Sequence, residues 1–267
     1  MCSSLTSKNG DVVVGRITRG TTGTNRLRRA DRWLARHPRF LSMENPVVVD
    51  LGFGAAPNTT LELAERLQST RPNTRVIGIE IDPARVDSAK PFETDTVSFR
   101  HGGFEIPNDG PVDVVRAFNV LRQYNEPEVA GIWSTVLSRL SPGGLFIDGT
   151  CDEIGRVSTW VALSPEGPES FTVSLRLTQL DTPSIAAERL VKALIHHNVE
   201  GENIHRFFTD LDRLWATNAG LGAFSPVQRW VASVRGMKDR GWPVHGTQAR
   251  WRLGELTVDW DAVAPQR

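Results

Sequence analysis

Cysteine is nearly absent: Cys2 and Cys151 are the only two in 267 residues. That is too few, and too badly placed, for a disulfide framework or a thiolate zinc site. Net charge is absent as well, with 31 basic and 31 acidic residues, so no global field argues for nucleic acid or an anionic membrane as partner. No segment approaches the roughly 20 consecutive apolar residues that a membrane helix needs, and the N-terminus lacks a signal-peptide core. No repeat and no low-complexity tract is visible. These absences predict a soluble cytosolic protein with no membrane partner.

What is present suits an α/β core with additions. The hydrophobic share of 39% and the charged share of 23% are ordinary for a globular chain of this length. The charge is uneven: residues 1–40 hold nine basic residues against Asp11 and Asp31, an excess of seven positive charges that the rest of the chain must offset. Residues 1–25 read as an arm, and its arginines, interspersed with Gly, Thr and Asn, suit phosphate or carboxylate groups or pair with the acidic body.

Apolar periodicity predicts a helix over 26–40 stopped by Pro38, a strand over 47–51, a helix over 58–69 and a strand over 75–81. Another helix opens at 83. Strands follow at 96–101 and 112–118, then a helix over 126–140 and a strand over 145–149. Two β-like runs, 158–163 and 170–177, form a hairpin across Pro165 and Gly167. Beyond 178 come helices at 184–197, 202–216 and 226–239, the last with Ser225 as N-cap, and a β-like run at 249–260. This alternation predicts a doubly wound, mainly parallel, Rossmann-like α/β fold with a seven-stranded sheet, a C-terminal hairpin and a helical C-terminal addition. The domain reading is a basic arm and helix over 1–40, a core over 41–178, and a helical cap with a terminal strand over 179–267.

The chemistry concentrates at two strand ends. Val47-Val48-Val49-Asp50-Leu51-Gly52-Phe53-Gly54 is an apolar run reaching an acid and then two glycines, which free the backbone for close approach of a ligand. One βαβ unit later Gly78-Ile79-Glu80-Ile81-Asp82 ends a second strand in acid, where a carboxylate can accept both hydroxyls of a ribose. Gly103-Phe104-Glu105 and Phe118-Asn119-Val120-Leu121 follow the next two strands. Together they describe a nucleoside cradle.

Taken in this order, the motifs resemble those of the class I S-adenosylmethionine-dependent methyltransferases, of an actinobacterial type. Asp50-Leu51-Gly52-Phe53-Gly54 looks like their first motif, Gly78-Ile79-Glu80-Ile81-Asp82 their second and the run from Asp113 to Leu121 their fourth. Leu140-Ser141-Pro142-Gly143-Gly144-Leu145 matches the turn into their fifth strand. The resemblance covers about 100 residues, 47–149. It implies S-adenosylmethionine as cofactor, with Asp50, Gly52, Phe53 and Gly54 on its methionine part, Glu80 and Ile81 on the ribose, Gly103 and Phe104 at the adenine edge, and Asn119 beneath the sulfonium.

Two positions depart from the pattern. Ala56, followed by Pro57, replaces the usual third glycine, and Gly103 stands where an acid often binds the adenine amine, with Glu105 as its substitute. The implied activity is methyl transfer to a small molecule or protein. Transfer to RNA (tRNA) is the less favoured acceptor class, and a non-catalytic cofactor-binding regulator is the alternative from another class.

No residue identifies itself as a catalytic base. Asp148, Asp152 and Glu153 share the edge at the end of the fifth strand as candidates for a base or a cation-holding site, and equally as loop acids. Cys151 reads as a packed thiol. Adjacent His196 and His197 diverge on a helix and His205 lies beyond a turn, so no metal site is expected.

Overall fold

The computed structural model describes residues 4–6, 12–17, 20 and 23–266. Cys2, Lys8, Asp11 and Arg19 of the basic arm lie outside the described residues. The chain divides into two compact units, one of Met1–Asp148, Glu153–Gly155 and Leu163–Gly167, the other of Gly149–Asp152, Arg156–Ala162 and Pro168–Arg267.

In the first unit, strands β1 (Ser4–Thr6) and β2 (Val12–Val14) pair antiparallel. Helices α1 (Arg28–Leu34) and α2 (Pro38–Ser42) follow. The predicted helix over 26–40 is therefore two helices, and Pro38 opens the second instead of only ending the first. Its missing N–H is harmless at that first position.

The alternating part then runs β3 (Val47–Leu51), α3 (Asn58–Gln68), β4 (Arg75–Glu80), α4 (Pro83–Ala89), β5 (Val97–His101), β6 (Val112–Phe118), α5 (Glu126–Leu137) and β7 (Leu140–Cys151). Hydrogen-bonded order is β7-β6-β3-β4-β5. Strand β3 is central and pairs parallel with both β4 and β6, and β4 pairs parallel with β5. A parallel sheet covered by helices on both faces needs strands that are apolar throughout, and Val48, Val49, Val76, Ile79, Val114 and Val115 are all buried. Helix α3 turns Leu63, Ala64 and Leu67 inward. Helix α4 begins on Asp82, whose side chain accepts from the Ala84 amide, and α5 on a capping box between Asn125 and Glu128.

The second unit holds β8 (Val157–Ser164), β9 (Gly167–Leu175), α6 (Lys192–Ile195), α7 (Asn203–Thr217), α8 (Pro226–Asp239), β10 (Val244–His245), α9 (Gln248–Trp251) and β11 (Glu255–Asp259). Its strands lie in the order β10-β11-β9-β8, with β11 antiparallel to both β9 and β10. Among the described residues, β3 to β11 make nine strands where the sequence predicts a seven-stranded sheet and a separate terminal β-run; β11 falls within that run, and β10 is the strand with no counterpart. Phe207 on α7 meets Phe171 at 5.9 Å and Trp242 at 5.4 Å edge to face. Trp215 stacks under the Arg229 guanidinium at 3.8 Å. Ser225 caps α8 by accepting from the Val227 amide, as the sequence predicts.

The predicted helix over 184–197 is broken. Pro183–Arg189 is a 3-10 turn and only Lys192–Ile195 is α-helical. The Arg189 carbonyl accepts from the hydroxyls of Thr150 and Thr159, so tertiary partners take the place of a helical one. The predicted β-run over 249–260 begins instead as α9, turns at Gly254 in the left-handed region (φ 84°), and only then extends.

Candidate functional site

A cavity of about 20 Å³ lies in the first unit, lined by Leu51, Gly52, Glu80, Ile81, Gly102 and Gly103, and further by Phe104, Val120 and Tyr124. The strand-end positions among them belong to the carboxyl edge of the sheet, where open α/β sheets bind ligands. Three residues of the N-terminal segment, Val14, Gly15 and Arg16, complete the lining.

Glu80 is the polar centre of this edge. It is 1% exposed, and its Oε2 accepts from the Gly54 amide at 2.8 Å while Oε1 accepts from the amides of Ile81 at 2.9 Å and Asp82 at 3.3 Å. Arg85 lies 3.7 Å from Oε2. The carboxylate therefore ties the end of β4 to the glycine loop after β3. Gly52 and Gly54 both take positive φ, 75° and 85°. A Cβ on Gly52 would sit 2.7 Å from the Val120 side chain, so glycine is required there by both conformation and space.

Asp50, which the resemblance sets against the methionine part of the cofactor, sits behind the glycine loop. Its carboxylate does not line the cavity. Oδ2 accepts from the hydroxyls of Thr59 and Thr60, each at 2.8 Å, and Oδ1 takes Arg116 through Nε at 3.1 Å and Nη2 at 2.7 Å. Arg116 stands beside Asp50 in the parallel register, is fully buried, and also bonds Asp31 and the Thr59 carbonyl. Asp31 in turn takes Arg66 at 2.7 Å. Burial disfavours the Arg116 cation, yet Asp50 and Asp31 outweigh it and hold its pKa above the ordinary arginine value. Asp50 anchors the start of α3 beneath the glycine loop.

Of the other expected residues, Gly52, Glu80, Ile81, Gly103 and Phe104 come together around the cavity. Phe53 is buried and packs edge to face on Phe99 at 5.2 Å. Gly54 acts through its amide on Glu80. Asn119 follows β6 half-buried at φ 60°, a conformation asparagine tolerates better than most residues. Glu105, expected to stand in for the adenine-binding acid, binds the Gly103 amide at 2.7 Å and the Val14 amide at 2.8 Å.

Tyr124, which no motif singles out, contributes its hydroxyl as acceptor for the Arg16 amide at 2.6 Å and packs edge to face on Phe104 at 5.3 Å. Only the fold brings residues 14–16 and 124 together.

Asp148 is buried on β7 and accepts from the Trp133 indole at 3.0 Å. Burial pushes its carboxyl up to about 7, with the indole hydrogen bond opposing. It does not line the cavity. Cys151 is buried. Among the described residues no group of three His, Cys, Asp or Glu side chains is placed to hold a metal, and no helix is long and apolar enough to cross a membrane.

The residues at the cavity fit a nucleoside-bearing cofactor. A carboxylate at the end of β4, a glycine loop without side chains, and the Gly103-Phe104 backbone face one space. That space, about 20 Å³, falls far below the roughly 300–1,000 Å³ typical of small-molecule sites, and Val14, Gly15 and Arg16 form part of its wall.

No protein-family model and no curated protein sequence matches the chain. Among solved structures, one chain of a Haloferax volcanii complex between a methyltransferase activator and a protein described as a methyltransferase is 28% identical over 47% of this chain and 53% of its own, at a TM-score of 0.37. Human N-acetylserotonin methyltransferase in complex with SAM is 21% identical over 49% and 36%, at 0.36. Synechocystis magnesium protoporphyrin IX methyltransferase with bound SAM is 18% identical over 48% and 58%, at 0.37. The chain therefore spans between 36% and 58% of the length of these solved proteins.

Proposed function

We propose that this cavity binds S-adenosylmethionine and that the protein transfers its methyl group to a small-molecule or protein acceptor. The observation that carries the reading is Glu80: a buried carboxylate at the end of β4, lining the cavity and bonded to the amide of the glycine loop. When bound, the cofactor supplies an electrophilic methyl on its sulfonium.

The chain's own residues bind and orient. Glu80 would accept a ribose hydroxyl with the lone-pair capacity that its three amide partners leave on Oε2. Gly52 lets the loop approach closely. Gly103 and Phe104 offer backbone at the base. Asn119, which follows β6, would lie on the methyl side of the bound cofactor. Asp50 acts indirectly, by holding the loop through Thr59, Thr60 and Arg116. Positioning and water exclusion are the protein's contribution to an in-line displacement, and a base is needed only where the acceptor must lose a proton.

Transfer to RNA is a second reading, favoured by one observation. Arg28, Arg32 and Arg36 are exposed at four-residue spacing along and just beyond α1, a basic ridge suited to phosphates. Methyl-label transfer, screened over RNA, protein and metabolite fractions, separates the acceptor classes. Labelled RNA that disappears when the three arginines become alanine identifies the second reading; a labelled metabolite or protein upholds the first.

A further inference from the structure

We propose that the peptide around Val14 and Gly15 is an internal plug that occupies the base-binding end of the cavity and must withdraw before the cofactor enters. The inference rests on the cofactor reading above. The Val14 peptide edge presents one donor and one acceptor side by side. Its N–H donates to Glu105 Oε2 at 2.8 Å and its carbonyl accepts from the Phe104 amide at 2.9 Å. A purine with an exocyclic amine beside a ring nitrogen offers the same pair, so the plug and such a base compete for one carboxylate and one amide.

The fit is tight. A Cβ on Gly103 would lie 2.1 Å from the Val14 carbonyl oxygen, and a Cβ on Gly15 would lie 3.1 Å from Ile81 and 3.3 Å from the Tyr124 hydroxyl. Two further holds keep the segment in place. Arg16 donates its amide to Tyr124, sets its guanidinium 5.0 Å over that ring and bonds Glu128 at 2.8 Å. Farther along, the Gly20 carbonyl accepts from the Ala55 amide at 3.1 Å, so the segment also crosses the glycine loop. Phe104 and Glu105 are thus already engaged by the chain itself, and the cavity of about 20 Å³ left beside it is too little for a nucleoside cofactor.

The Arg16–Glu128 pair is the hold that can be loosened from outside the base-binding end. Glu128→Gln keeps a residue able to cap α5 and removes the charge pair; Arg16→Ala removes the guanidinium. Both are made in the full chain and titrated with S-adenosylhomocysteine by calorimetry and stopped flow. Tyr124 is the single tyrosine of the sequence, so 3-fluorotyrosine labelling gives one ¹⁹F resonance that reports the plug.

Loosening a partly exposed ion pair should tighten binding about two- to five-fold, with the gain in the association rate. Ligand should move the wild-type resonance to a position that the variants already populate. Equal or weaker binding in both variants, or a Tyr124 resonance that ligand leaves in place, overturns the plug while the cofactor reading stands. Absence of binding in all three proteins overturns both.

Discussion

Replacing Asp148 by asparagine tests whether a buried carboxyl shapes the stability of the first unit. Asp148 is buried on β7 and accepts a hydrogen bond from the Trp133 indole, and burial pushes its pKa to about 7 from an ordinary 3.8. The folded state therefore holds the proton more tightly than the unfolded chain. Stability from this group is fully present below pH 3.8 and is lost as pH rises through about 7. With those two pKa values, the linkage relation gives a loss of about 2–3 kcal/mol between pH 5 and pH 8. An asparagine side chain at this position would be neutral throughout and could still accept from the indole. The difference in stability between variant and wild type should thus move in the variant's favour by that amount over this interval, other titrations cancelling. Urea unfolding of both proteins at pH 5 and pH 8 reads it directly. In melting temperature the relative change should be roughly 5–10 °C for a chain of this size. A difference that is the same at both pH values would show that Asp148 is ionised in the folded protein and would refute the reasoning.

Two further substitutions separate anchoring from binding. Asp50→Ala leaves Arg116 buried with one of its two carboxylate partners gone, so urea unfolding should show a loss of about 3–5 kcal/mol; a loss under about 1 kcal/mol would mean that the network is not a structural anchor. Gly52→Ala places a methyl 2.7 Å from Val120 at a positive φ, so S-adenosylhomocysteine binding by calorimetry should fall at least about ten-fold with the fold retained by circular dichroism. Wild-type affinity in that variant would remove the loop from the site.

The strand ends were legible because their signals are local. The Val47–Leu51 run, the glycines at 52 and 54 and the acid at 80 each follow from apolar periodicity and backbone conformation. Asp50 was legible as an acid before a glycine loop but not in its direction. Its side chain is claimed by Arg116, 66 residues away in sequence and adjacent only through the β3–β6 register. The same limit hid Tyr124 and residues 14–16, whose contacts join chain segments about a hundred residues apart. Helix boundaries failed where tertiary partners won, as at Arg189, whose carbonyl serves two threonine hydroxyls instead of the next turn. Asp148 reads as a loop acid in a strand that ends near 149; β7 runs on to Cys151 and carries it into the interior.

The central claim is that the cavity at Gly52, Glu80 and Phe104 is a cofactor site. Calorimetric titration of the full chain with S-adenosylmethionine tests it most directly. One-to-one binding with a dissociation constant in the micromolar range or tighter, competed by S-adenosylhomocysteine, is the expected result. No heat and no competition at high micromolar ligand would contradict the account.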